Sequence, residues 1–107
     1  MVRRGDVVWA DGGAAGGRRP VCILTRGAAI ELLHALTCAP ITRTIRGINS
    51  EVPVGTSEGL PAESVINCDN VMTVPIEWFD REPVGRLDIA GIAALDRALR
   101  YALDIRL

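Results

Sequence analysis

Apolar residues in this chain come in short bursts, broken by glycine, proline, asparagine and charged side chains, until a longer helical pattern takes over near residue 88. Short apolar runs bounded by turn residues read as strands. The first, residues 5–11, holds Val7, Val8 and Trp9, all good strand formers. Residues 11–17 are then almost entirely glycine and alanine, and are predicted to form a mobile loop that closes over a ligand. They lack the Gly-Lys-Ser/Thr ending of a P-loop, and no helix follows them. A second strand is predicted over 20–24, with Pro20 at its start, where a missing N–H is tolerated. Thr25 is placed to cap a short helix over 26–33, in which Ile30, Leu32 and Leu33 are apolar. Residues 34–44 read as a third strand and 43–50 as a polar, basic turn region. A fourth strand covers 51–54, and Pro53 assigns it to a sheet edge. After a loop at 55–61, strands are predicted at 64–68 and 71–74, joined at the turn-forming pair Asp69-Asn70. Residues 75–80 read as a helical turn and 84–87 as a last short strand.

From Asp88 the period changes. Ile89, Ile92, Leu95 or Leu99, and Leu103 recur at helical spacing, with Asp96, Arg97 and Arg100 on the outer side and Asp88 as N-cap. Several short strands, one small inserted helix and one terminal amphipathic helix predict a mostly β fold with helices (α+β). The expected form is a small, curled antiparallel barrel with its helices outside.

Size changes this picture little. The 107 residues suit one domain over 1–107. No apolar run approaches the roughly 18–20 residues of a membrane span. The charged start Met1-Val2-Arg3-Arg4 has no apolar segment behind it, so no secretory signal is expected. A soluble, cytoplasmic protein follows as the expectation. Cys22, Cys38 and Cys68 are odd in number, widely spaced and set in apolar runs. They read as buried thiols rather than a disulfide or zinc framework.

Charge is more telling. Residues 1–50 carry seven arginines against Asp6, Asp11 and Glu31, a balance of 7 − 3 = +4, and residues 51–107 carry five arginines against ten acids, 5 − 10 = −5. Such asymmetry points to a polyanion-facing region in the first half. Every cationic side chain there is arginine, whose planar fork of donors suits phosphate oxygens.

The candidate chemistry lies in two strand ends of that basic half: Gly17-Arg18-Arg19-Pro20-Val21-Cys22 and Cys38-Ala39-Pro40-Ile41-Thr42-Arg43-Thr44-Ile45-Arg46-Gly47. Arg18 and Arg19 form either a solvated rim or a phosphate site. In the second case Arg19, fixed by Pro20, stabilises charge building on a phosphorus centre. Thr42 is either an ordinary strand residue or a hydrogen-bond donor to the same phosphate. Strand alternation would put Thr42 and Thr44 on one face and Arg43 on the other. Arg43 and Arg46 could hold flanking phosphates, a contribution that weakens with salt. His34 is the only histidine; no histidine pair is available for acid–base work, and no Asp, Glu and His residues stand at metal-ligand spacing.

Taken in order, Arg4-Gly5-Asp6, the glycine-rich 12–17, Arg19-Pro20-Val21, Pro40-Ile41-Thr42, Val65 to Asn70, Thr73-Val74-Pro75, Gly85-Arg86-Leu87 and the final helix resemble the MazF/PemK family of toxin endoribonucleases. The resemblance covers nearly the whole chain. It implies an SH3-like barrel of the PemK/CcdB type and a homodimer. It implies sequence-specific, metal-independent cleavage of single-stranded RNA, with no cofactor, giving a 2′,3′-cyclic phosphate (or 3′-phosphate) and a 5′-hydroxyl. The family's catalytic arginine and threonine match Arg19 and Thr42. RNA would lie in a groove lined by Gly16, Gly17, Arg18, Arg43, Thr44 and Arg46, and a cognate MazE-like antitoxin with an acidic tail would block it. Two other readings stand beside it. A CcdB-like poison of DNA gyrase on the same barrel would use an aromatic residue at the C-terminal end, where this sequence has Asp104-Ile105-Arg106-Leu107. A non-catalytic SH3-like module would need an aromatic groove, and Trp9, Trp78, Phe79 and Tyr101 are the only aromatics.

Overall fold

In the computed structural model, which describes residues 2–12 and 17–106, seven strands form one curled antiparallel sheet. The strands are β1 (Asp6–Asp11), β2 (Arg18–Ile23), β3 (Ala35–Thr42), β4 (Glu51–Val54), β5 (Ser64–Asn67), β6 (Met72–Pro75) and β7 (Gly85–Arg86). Their order is β4-β5-β3-β2-β1-β7, with β6 also on β3. The long strand β3 makes the curl. Its first half, Ala35–Cys38, pairs with β6, whereas Ile41 and Thr42 pair with β5. Strands β5 and β6 are therefore not a hairpin. The 3-10 turn Cys68–Asn70 between them carries the chain from one half of β3 to the other. Strand β4 lies at the sheet edge, as Pro53 predicts.

Two apolar clusters occupy the two faces. Val7, Cys22, Ala39, Ile41, Val52, Val54 and Ile66 pack beneath the terminal helix α2 (Ile89–Leu103), which contributes Leu95 and Ala98. Val8, Ala10, Val21, Ile23, Leu36, Cys38 and Val74 form the second cluster, covered by Ile30 of the short helix α1 (Gly27–Ile30) and by Phe79. Successive residues of β1 and β2 alternate between the clusters, as the strand pleat requires.

The predicted N-cap of α2 is present: the Asp88 carboxylate accepts from Gly91 N–H at 2.7 Å. Two expectations for this helix fail. Ile89 and Leu103 are exposed rather than core-facing, because the helix meets the sheet through its middle turns, at Ile92, Leu95, Ala98 and Leu99. Helix α1 also falls short of the predicted 26–33 and is not capped by Thr25. The Thr25 hydroxyl instead accepts from Thr37 N–H at 2.8 Å, spending itself on β3.

The Arg4-Gly5-Asp6 segment is a structural clasp. Arg4 reaches Asp96 on α2 at 2.7 Å and the Leu24 carbonyl at 3.2 Å. The buried Asp6 carboxylate accepts from Arg3 N–H and lies 3.7 Å from Arg86 Nε. Between them Gly5 has φ +89° and sits so close to Ile92 that a Cβ would collide with its Cδ1.

Candidate active site

Strand β2 begins at Arg18, not at Pro20, so both arginines are strand residues and alternation separates them. Arg18 pairs with Asp11 and lies 5.4 Å from the centroid of the Trp9 ring. Its terminal guanidinium nitrogens Nη1 and Nη2 both donate to the Asp80 carboxylate, a fork-to-fork pair. That contact raises the Arg18 pKa above its ordinary value and lowers that of Asp80. Arg19 faces the opposite way, on the side of Val21 and Ala10.

Thr42 lies on the same face as Arg19. The β2–β3 ladder pairs Val21 with Pro40; continued by two residues, the same register would set Arg19 opposite Thr42. Here β3 ends. The strand alternation expected for residues 42–44 therefore does not extend past Thr42, and Arg43 is not turned away. Arg19, Thr42, Arg43, Thr44 and Arg46 all line one open cavity of about 440 Å³, together with Pro40, Ile41, Glu51, Asn67 and Asn70.

Local hydrogen bonds shape this cavity. The Thr42 hydroxyl oxygen accepts from Thr44 N–H at 3.1 Å, a contact that leaves its O–H proton to be donated elsewhere. The Glu51 carboxylate accepts from Arg46 N–H at 3.0 Å and Gly47 N–H at 2.9 Å. It thereby folds the 43–50 segment back on the start of β4. Ser50, buried, donates to Asp69 at 2.5 Å, tying that segment to the β5–β6 turn, where Asn67 Oδ1 accepts from Asp69 N–H. Three arginines against one carboxylate make the lining cationic, and with Thr42 and the two asparagines it is rich in donors.

Of the residues expected from sequence, Arg18 is outside this lining and bound to Asp80. Gly17, with φ +65°, borders a neighbouring apolar cavity rather than this one. Gly16, with residues 13–15 of the glycine-rich loop, lies outside the described residues. Glu51, Asn67 and Asn70 were not foreseen. The available signal was positional: Glu51 opens the strand after the basic turn, and Asn67 precedes and Asn70 ends the turn joining two strands of the same sheet. The three cysteines are buried, and burial pushes the Cys22 thiol up to about 12 and Cys38 and Cys68 up to about 11. They are thus protonated at neutral pH and inert as nucleophiles. Among the described residues, no three His, Cys, Asp or Glu side chains converge as a metal site, and no helix is long and apolar enough to cross a membrane.

Residues 3–103 match the family model described as the PemK-like, MazF-like toxin of type II toxin–antitoxin systems. The chain is 42% identical over 87 residues to endoribonuclease MazF3 of Mycobacterium tuberculosis, covering 81% of this chain and 84% of the relative. Its backbone superposes on Mycobacterium tuberculosis toxin MazF-mt6 with a TM-score of 0.87 and 37% identity, over 95% of this chain and 99% of the other. A mycobacterial endoribonuclease solved in complex with its cognate antitoxin matches with a TM-score of 0.85 and 25% identity, over 100% and 99% of the two chains. The curled barrel with its C-terminal helix is the fold expected from the sequence, and the chain belongs to the PemK-like, MazF-like toxin family of type II toxin–antitoxin systems.

Proposed function

We infer that the chain is the toxin of a type II toxin–antitoxin pair and a metal-independent endoribonuclease that cuts single-stranded RNA at a short recurring sequence. The observation that carries this reading is the shared cavity. Arg19 and Thr42, from two neighbouring strands, line one donor-rich hollow with Arg43 and Arg46, and the named relative MazF3 is an endoribonuclease.

The reaction is transesterification. The 2′-oxygen attacks the adjacent phosphorus as its proton leaves, the bond from phosphorus to the 5′-oxygen breaks, and that oxygen takes up a proton. A 2′,3′-cyclic phosphate and a 5′-hydroxyl result, with no net gain or loss of protons. Negative charge grows on the non-bridging oxygens in the transition state. The Arg19 guanidinium stabilises that charge. Thr42 donates its hydroxyl proton to one of the same oxygens. Arg43 and Arg46 hold the neighbouring phosphates and set the register of the strand. The charge of the 43–46 segment suits the backbone of a single strand. The toxin acts as a homodimer, and a MazE-like antitoxin neutralises it by covering the cationic cavity with an acidic tail that orders on binding.

The test incubates purified protein with a long unstructured RNA in EDTA and maps the new 5′ ends. Cuts recurring at one short motif, each leaving a 5′-hydroxyl, are expected, and both Arg19→Ala and Thr42→Ala are expected to abolish them. RNA left intact by abundant wild-type protein would refute the reading.

A further inference from the structure

Arg19 borders two cavities, the cationic one it shares with Thr42 and a second, apolar one. The second, of about 290 Å³, is lined by Ala10, Gly12, Gly17, Val21, Met72, Val74 and Trp78. It is where the second apolar cluster reaches the surface. Ala10, Val21 and Val74 are core residues at its floor, while Met72 and Trp78 stand at its rim, 37% and 42% exposed. A tryptophan and a methionine left this open over an apolar floor present polarisable, apolar surface.

We propose that this pocket takes the base of one nucleotide flanking the phosphate held by Arg19, so that the enzyme reads its RNA partly by stacking. The inference rests on the ribonuclease reading above and deepens it. A nucleotide joins an anionic phosphate to a base with apolar faces, and Arg19 joins a cationic, donor-rich cavity to an apolar one. The side chains of the lining other than Arg19 carry a single polar atom able to donate, the Trp78 indole N–H. Recognition here therefore depends on the presence and size of a base far more than on its hydrogen-bonding edge. Edge recognition is left to the polar cavity, where Asn67 and Asn70 stand. Bases stack on aromatic side chains in just this sequence-tolerant manner.

The test uses the mapped cleavage motif in a short RNA, 2′-O-methylated at the cut so that it binds without reacting. Each of the two flanking bases is replaced in turn by an abasic residue. Wild-type affinity is expected to fall about tenfold at one flanking position and little at the other. Trp78→Ala and Met72→Ala should each weaken binding of the intact RNA and lose the sensitivity to that abasic position. Thermal melts establish that the variants fold, and the methionine variant carries the test should the tryptophan variant fail to. An abasic penalty unchanged in the variants, or intact RNA bound as tightly as by wild type, would overturn the proposal. Cleavage of ordinary RNA without this coupling overturns the pocket alone. Absence of any cleavage, so that no motif can be mapped, overturns the ribonuclease reading and the pocket with it.

Discussion

The two apolar clusters on either side of the sheet are built from the same strands but closed differently. The first lies under a helix running from Ile89 to Leu103, which buries Leu95 and Ala98 against Val52, Val54 and Ile66. Among the described residues, the second is covered by the four residues of Gly27–Ile30, the ring of Phe79 and Val2. Two cavities run into its margin, one past Val2 and Ile30 and one past Ala10 and Val21. The helix-covered side holds the fold together, and the thinly covered side is where Arg19 and Thr42 emerge. A one-residue step along β2 decides which side a residue serves: Cys22 packs under the helix, whereas Arg19, Val21 and Ile23 face the other way.

The largest effect that would break this comparison is on stability. Leu95 and Leu36 are both fully buried, one in each cluster. Leucine-to-alanine changes in cores cost about 2–5 kcal/mol, least where the surroundings can collapse into the space. Leu95→Ala is expected near the upper end and Leu36→Ala near the lower, read as urea midpoints. The reverse order would show that the helix-covered side is not the better packed.

A smaller effect concerns the 43–50 segment. Glu51→Gln keeps the side chain's shape but removes the charge that strengthens its bonds to Arg46 and Gly47 N–H. Cleavage is expected to slow roughly tenfold, within the range for loss of hydrogen bonds to a charged group, with little change in melting temperature. An unchanged rate would mean that the segment holds its form without Glu51.

The two adjacent arginines give the next contrast. Arg18→Ala breaks a surface pair with Asp80, and exposed ion pairs contribute little. Activity should drop only a few-fold, against the near-complete loss expected for Arg19→Ala. Equal losses would place Arg18 in the reaction as well.

At neutral pH the smallest effect, and one that grows only in strong alkali, is a pH dependence common to both clusters. Cys22, Cys38 and Cys68 have pKa values raised from 9.0 to about 12, 11 and 11. The unfolded chain therefore releases thiol protons above its ordinary value while the folded chain keeps them. This contribution to stability is complete below that value and is lost as pH rises through the folded values. Urea midpoints should fall from pH 9 upward, and less steeply in Cys22→Ala.

Much of this architecture was legible in the chain. The β1 and β4 runs, the edge position marked by Pro53 and the Asp88 cap all follow from local pattern. Arg19 and Thr42 stood out because polar groups end apolar strands. Glu51, Asn67 and Asn70 did not, because they reach the cavity through the pairing of β4 with β5 and of β5 with β3, which no local pattern encodes. Ile89 and Leu103 misled for a related reason: helical spacing shows which face is apolar, not how far along the helix the sheet extends. Arg18 misled because its partner, Asp80, lies 62 residues away.

The central claim is that Arg19 and Thr42 act on one phosphate within one cavity. A double-variant cycle tests it most directly: single-turnover cleavage of an RNA carrying the mapped motif, with Arg19→Ala, Thr42→Val and both together. The arginine change is expected to cost about 10²-fold or more and the threonine change about tenfold or more. The double variant should lose clearly less than the product of the two, as groups acting on one centre do. Losses that simply multiply, or a near-wild-type rate in either single variant, would contradict the claim.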